Sequence, residues 1–163
     1  MNDPAVPALV QSLFARAGWQ GSAADDLPAP NDPATLEVAP VNETTSARSG
    51  LAGWQIARVT AYIDTHIDTT IYSDDLAALA RLSSFHFCRV FRNTFGIPPH
   101  KYIMYKRIER AKSLMLSTPA PLGQIAADCG LADQAHFNKL FRRFVGDTPG
   151  AWRRARLPVV AAE

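Results

Sequence analysis

The sequence predicts an all-α fold of about seven helices, in which two helix-turn-helix subdomains are joined by a long spacer helix behind a largely disordered N-terminal segment. Three observations carry this. A pattern of residues recurs in the C-terminal two-thirds of the 163-residue chain at an offset of 49 to 50. From Leu51 onward, apolar residues recur at spacings of three and four, the period of a helix half sunk in a core. No segment shows the apolar–polar alternation of a half-buried strand.

The elements follow in order. Val6, Leu9, Val10, Leu13, Phe14 and Ala17 fall at helical spacing before Gly18, so residues 4–19 are expected to form a short helix open to a partner contact. Residues 20–50 read GSAADDLPAPNDPATLEVAPVNETTSARSG, too poor in apolar side chains to offset their ordering entropy, and are expected to be a disordered linker. Ile56, Val59, Tyr62, Ile63, His66 and Ile67 form one stripe and predict a helix over 52–67. Ser73 is expected to cap a helix over 74–80, with Asp74 and Asp75 in its first turn. A third helix over 84–94 stops before Gly96.

Pro99 then opens the spacer helix, 99–116, along which Met104, Ile108, Ala111 and Met115 recur at spacings of four, three and four. Pro119 and Pro121 break the chain, and helices follow over 122–128 and 133–144, the latter ending before Gly146. Thr148 and Pro149 cap a last helix at 149–156. The domain assignment is therefore 1–50 for the N-terminal segment, 51–157 for the folded domain and 158–163 for a tail. Within the domain, the two helix-turn-helix units take 74–95 and 122–145.

Charge is segregated along the chain. Residues 1–50 hold six acids against Arg16 and Arg48, a balance of −4, whereas residues 81–156 hold 14 Lys and Arg against 4 acids, a balance of +10. A solvated surface mixes signs, so this excess points to a polyanionic partner, nucleic acid before any other. Other classes are disfavoured. No run of 18 apolar residues exists, the first residues lack the basic start of a secretory signal, and a cytoplasmic, nucleoid-associated protein is expected. Cys88 and Cys129 form no CxxC pair and no ligand spacing with the four histidines, so no metal and no cofactor are expected. No nucleophile–base constellation suggests an enzyme.

The repeat is the strongest signal. Residues 76–102 read LAALARLSSFHFCRVFRNTFGIPPHKY and residues 125–152 read IAADCGLADQAHFNKLFRRFVGDTPGAW. Leu76-Ala77-Ala78 matches Ile125-Ala126-Ala127 at an offset of 49. After one extra turn residue, an offset of 50 pairs His86-Phe87 with His136-Phe137, Val90-Phe91-Arg92 with Leu140-Phe141-Arg142, Gly96 with Gly146 and Pro99 with Pro149. Each copy is a short helix, a tight turn and a second helix. The alanine pair allows a close helix crossing. Phe87, Val90 and Phe91, like Phe137, Leu140 and Phe141, anchor the second helix and leave its other face for a major groove.

This arrangement over residues 52–157 resembles the DNA-binding domain of AraC/XylS-type transcription regulators, and Gly146, Thr148-Pro149 and Trp152-Arg153-Arg154 look like that family's signature region. The resemblance implies a sequence-specific regulator that inserts recognition helices 84–94 and 133–144 into adjacent major grooves. A spacer of 18 residues spans ~27 Å, against ~34 Å between successive grooves on one face, so some bending of the DNA is expected. By the same resemblance Phe85, Cys88 and Arg89 match base-facing positions in the first head. Ala135, Asn138 and Lys139 match them in the second, with Gln134 beside them.

The chemistry suits these positions. Arg89 is able to bond guanine bidentately or to neutralise a phosphate, and Asn138 and Gln134 are able to bond adenine. Lys139 suits guanine, Ala135 offers a methyl contact, and Phe85 either packs on a thymine methyl or closes the core of the turn. Cys88 is a small filler, or a thiol whose oxidation would clash with DNA. Ser84, Arg92, Lys101, Arg142, Arg143, Arg153 and Arg154 are expected to contact phosphates. His86 and His136 are expected to make structural hydrogen bonds, and Arg107 to brace the two halves through Asp75 or Asp128.

Double-stranded DNA and RNA polymerase are the expected partners of a monomer without an effector pocket. The alternatives are a protein-interaction module using one head and a nonspecific DNA-binding protein. An alkyl-transfer repair enzyme with a similar DNA-binding region is disfavoured, since the first 50 residues contain no Cys.

Overall fold

The computed structural model of the chain describes residues 50–156. The helix expected over 4–19, the linker up to residue 49 and the tail over 158–163 lie outside the described residues. Among these, the chain forms seven helices and no strand: α1 (Gly53–Thr65), α2 (Ser73–Leu79), α3 (Ser84–Phe95), α4 (Pro99–Ser117), α5 (Leu122–Asp128), α6 (Gln134–Val145) and α7 (Pro149–Arg154). Each bound falls within two residues of its expected position. No helix among them is long and apolar enough to cross a membrane.

The chain divides into two compact units. One runs to Tyr62 and adds Tyr72–His100; the other takes Ile63–Ile71 and everything from Lys101. In the first, Val59, Leu76, Ala77, Phe87, Val90, Phe91 and Phe95 are buried. Phe87, Phe91 and Phe95 follow one another at i, i+4 spacing, their ring centroids 5.4 and 4.4 Å apart. Thr94 is buried but fully used: its hydroxyl donates to the Val90 carbonyl at 2.8 Å and accepts the Leu51 amide at 2.7 Å. A Cβ on Gly50 would lie 2.5 Å from that same oxygen, so a side chain there would displace the Thr94 hydroxyl from its bonds. The Gln55 side chain accepts from the Ala52 amide and donates to the Ala80 carbonyl, tying the start of α1 to the end of α2.

In the second unit the seam of α4 is built as its spacing predicts. Ile108, Ala111 and Met115 are fully buried and Met104 is half-buried. Phe137, Phe141 and Phe144 of α6 are buried, and Trp152 of α7 meets Phe141 edge-on at 5.7 Å. Leu140 is only half-buried, so the expected triad Phe137, Leu140, Phe141 is corrected to Phe137, Phe141, Phe144, one helical turn further along.

The turns repeat as closely as the sequences do. In the first copy the Leu82 amide donates to the Ala77 carbonyl and Arg81 to Ala78; in the second Leu131 donates to Ala126 and Gly130 to Ala127. This pairing satisfies the last carbonyls of the first helix and requires a left-handed residue after it. Arg81 and Gly130 supply that residue, with φ of 57° and 68°.

Candidate nucleic-acid interface

Both second helices of the repeats, α3 and α6, are capped alike at each end. Ser83 accepts the amide of His86 and Asp133 that of His136, residues three positions into each helix. Gly96 and Gly146 close them in left-handed backbone, as expected, at φ of 77° and 83°. The N-caps were not expected from the pattern, although Ser and Asp before an apolar periodicity are the signal for them. The first helix of the first copy departs from expectation. It starts at Ser73, its cap Tyr72 makes no side-chain bond, and Asp74 accepts the hydroxyl of Ser84. Ser73 is therefore not the cap; the acid after it ties α2 to α3 across the turn.

With Phe87, Val90, Phe91, Thr94 and Phe95 buried, α3 leaves its other side chains for the opposite face. Phe85 is 61% exposed, which removes the alternative that it closes the turn core. Cys88 and Arg89 are half-buried and Arg92 is exposed. On α6, Gln134, Ala135, Asn138, Lys139, Arg142 and Arg143 are all exposed. Asn138, Lys139, Arg142 and Arg143 line a shallow recess of about 440 Å³. None of the twelve residues of α6 is acidic, so the helix itself is positively charged, with Asp133 at its N-cap.

The positions ahead of the two helices differ in a way the alignment makes legible. Asp74, which holds Ser84, corresponds to Gly123, and Ser84 corresponds to Gln134. A Cβ on Gly123 would lie 3.4 Å from the Gln134 side-chain oxygen. Gln134 thus lies over a residue with no side chain, whereas Ser84 is held by a carboxylate.

The expected phosphate contacts fall into two groups. Arg92, Arg142, Arg143 and Arg154 are exposed and Lys101 is half-buried. Arg153 is turned onto its own unit: it donates to the carbonyls of Ala120, at 2.7 Å, and Thr118, closing the connection between α4 and α5. Two donors of its guanidinium are thereby committed inside the protein. The adjacent Arg156 stacks on the Trp152 ring, 4.3 Å from its centroid.

Two expected side-chain roles are corrected. Arg107 is buried and donates through Nε to the Ile67 carbonyl at 3.1 Å and through Nη2 to the Thr69 carbonyl at 2.5 Å, so its partners are backbone oxygens, not Asp75 or Asp128. Burial lowers its pKa, opposed by the nearby Cys129 and Asp68. The Nδ1 of His136 is buried with no hydrogen-bond partner, so no structural hydrogen bond forms at that nitrogen.

Comparison with known proteins places this geometry. Residues 76–155 match the family model of a helix-turn-helix domain. The probable transcriptional regulator LumQ of Photobacterium leiognathi is 36% identical over 88 residues, which are 54% of this chain and 36% of that protein. The crystal structure of the DNA-binding domain of AdpA, a global transcriptional factor in complex with a target DNA, has a TM-score of 0.59 at 29% identity, covering 62% of this chain and 91% of that one. A transcriptional regulator of the AraC-type DNA-binding-domain class from Chromobacterium violaceum has a TM-score of 0.60 at 26% identity, covering 64% and 94%. The chain spans about a third to a half of the length of the curated relatives it matches. Residues 76–155 thus match a helix-turn-helix domain in sequence and share the fold of AraC-type DNA-binding domains, the family that the repeat resembles.

Proposed function

We propose that the whole chain is a sequence-specific transcription regulator which inserts α3 and α6 into adjacent major grooves of one duplex. The observation that carries this reading is the exposed face of the two repeated helices. Each pairs side chains able to contact base edges, by hydrogen bonds or in the case of Phe85 by apolar packing, with cations able to neutralise phosphates: Phe85 and Arg89 with Arg92, and Gln134, Asn138 and Lys139 with Arg142 and Arg143. Cys88 and Ala135 sit beside the reading side chains. Arg154 and Lys101 add phosphate contacts; Ser84 and Arg153, already bonded within the protein, contribute little. The 19-residue α4 spans ~28 Å, within a modest DNA bend of the groove spacing.

The chain acts as a monomer in the cytoplasm at the nucleoid, and output passes through RNA polymerase, recruited or blocked. It is not an enzyme. Cys129 is buried, which pushes its thiol up to about 11, the opposite of what an activated nucleophile needs.

The test is selection of duplexes from a random library by the full chain at physiological salt. Enrichment of two short elements about one helical turn apart is the expected result. A single element would demote the second head to a clamp or a protein-contact surface. Salt-sensitive affinity without enrichment would make the chain a nonspecific binder.

A further inference from the structure

The charge segregation in the sequence meets a defined surface in the structure. Residues 25–43 contain Asp25, Asp26, Asp32, Glu37 and Glu43 and no Lys or Arg. The recess on α6 gathers Lys139, Arg142 and Arg143 within twelve residues that include no acid. We infer that the acidic stretch 25–43 docks on this recess when DNA is absent and is displaced when DNA binds. This inference rests on the reading of α6 as a DNA-facing helix.

Two arguments support it. The first is charge complementarity: five carboxylates within 19 residues offer α6 the same chemistry as a run of phosphates, at lower charge density. The second is reach. Asp25 lies 25 residues before Gly50, a contour of up to ~85 Å, longer than a domain of about 100 residues is wide. Covalent attachment then holds the anion at an effective concentration of order millimolar, so weak contacts suffice.

Such docking raises the threshold for nonspecific DNA, whose attraction is largely electrostatic, and weighs less against a target that also supplies base contacts.

The experiment is carbodiimide crosslinking of the full chain at low salt, which joins a carboxylate to an amine, followed by peptide mapping. Lys139 is the informative amine, since it alone of the four lysines lines the recess, Lys101, Lys106 and Lys112 lying on α4. The expected product joins residues 25–43 to Lys139, within one chain in a mixture of isotopically labelled and unlabelled protein. It is lost when a 30-base-pair duplex is added and weakened at least fivefold at 0.5 M salt. DNA binding without any Lys139 crosslink, or crosslinks only between chains, overturns the inference and leaves the proposed function standing. A Lys139 crosslink that no duplex displaces, in a chain that binds no duplex, overturns the DNA reading and with it the switch.

Discussion

Arg81 and Gly130 occupy the same place in the two turns and adopt the same left-handed backbone, φ 57° and 68°. Their surroundings differ. A Cβ on Gly130 would lie 2.7 Å from the Ile67 carbonyl oxygen and 2.9 Å from the Asp68 backbone, neither of which is a flexible side chain. At Arg81 a side chain is accommodated, and its guanidinium reaches 5.9 Å from the Trp54 ring. Gly130→Ala should therefore cost about 3 kcal/mol or more, strain plus a backbone clash. Arg81→Gly should stay within about 1 kcal/mol of the parent, relief of strain offsetting the lost contact and the freer unfolded chain. Urea unfolding of the two variants checks this; equal losses would refute the asymmetry.

The two hydrogen bonds from Arg107 to the Ile67 and Thr69 carbonyls fasten the segment after α1 onto α4 within the second unit. Arg107→Met fills similar volume but leaves both oxygens unpaired, and should destabilise by about 2–4 kcal/mol. Arg107→Lys restores the charge without the planar fork, and should recover less than half of that loss. Thermal melts followed by circular dichroism decide. A lysine variant as stable as the parent would mean that charge, not the paired carbonyls, matters here.

Alkaline pH should weaken the second unit. Burial pushes Tyr102 up to about 12, helped by Asp64 and Tyr105, and Tyr105 up to about 12, helped by Glu109. Burial likewise pushes Cys129 from 9.0 to about 11. In each case the folded chain holds its proton to higher pH than the unfolded chain, so stability falls as pH rises. The loss begins near pH 9 through Cys129, is joined near pH 10 by the tyrosines, and levels off above about pH 12. Urea midpoints from pH 8 to 12 should show this, and Cys129→Ala should move the onset to pH 10 whatever it does to the plateau.

Local patterns made most of the fold legible in the sequence. Gly96, Gly146 and Thr148-Pro149 mark helix ends because left-handed closure and a fixed proline φ leave few alternatives. The repeat exposed the turns, since a second copy turns a weak motif into a comparison. What escaped was decided by contacts distant along the chain. Ser73 has the chemistry of a cap, yet the carboxylate after it pairs with Ser84, ten residues beyond Asp74. Arg107 looks from the sequence like half of an ion pair, but its partners are carbonyls, which no residue identity announces. Leu140 yields its buried place to Phe144, although spacings of four and three from Phe137 fit both patterns. The residues proposed to read bases were legible only as a group set apart from the inward phenylalanines; their partners would be fixed by a duplex that the chain does not encode.

The two heads should separate base reading from phosphate binding. Phe85 is 61% exposed, so Phe85→Ala should change stability by less than about 0.5 kcal/mol. If its ring packs on a thymine methyl, the same change should lower affinity for the selected site while leaving random duplex binding unaltered. Arg89→Ala should cost roughly 1–3 kcal/mol on the selected site and relax one position of the motif. Arg142→Ala, from the exposed recess of α6, should instead weaken all duplexes alike and reduce the salt slope by about one unit. Anisotropy titrations on selected and scrambled duplexes at three salt concentrations distinguish these outcomes. A uniform loss for Arg89→Ala would reassign it to the backbone, whereas a position-specific loss for Arg142→Ala would make that arginine a reader.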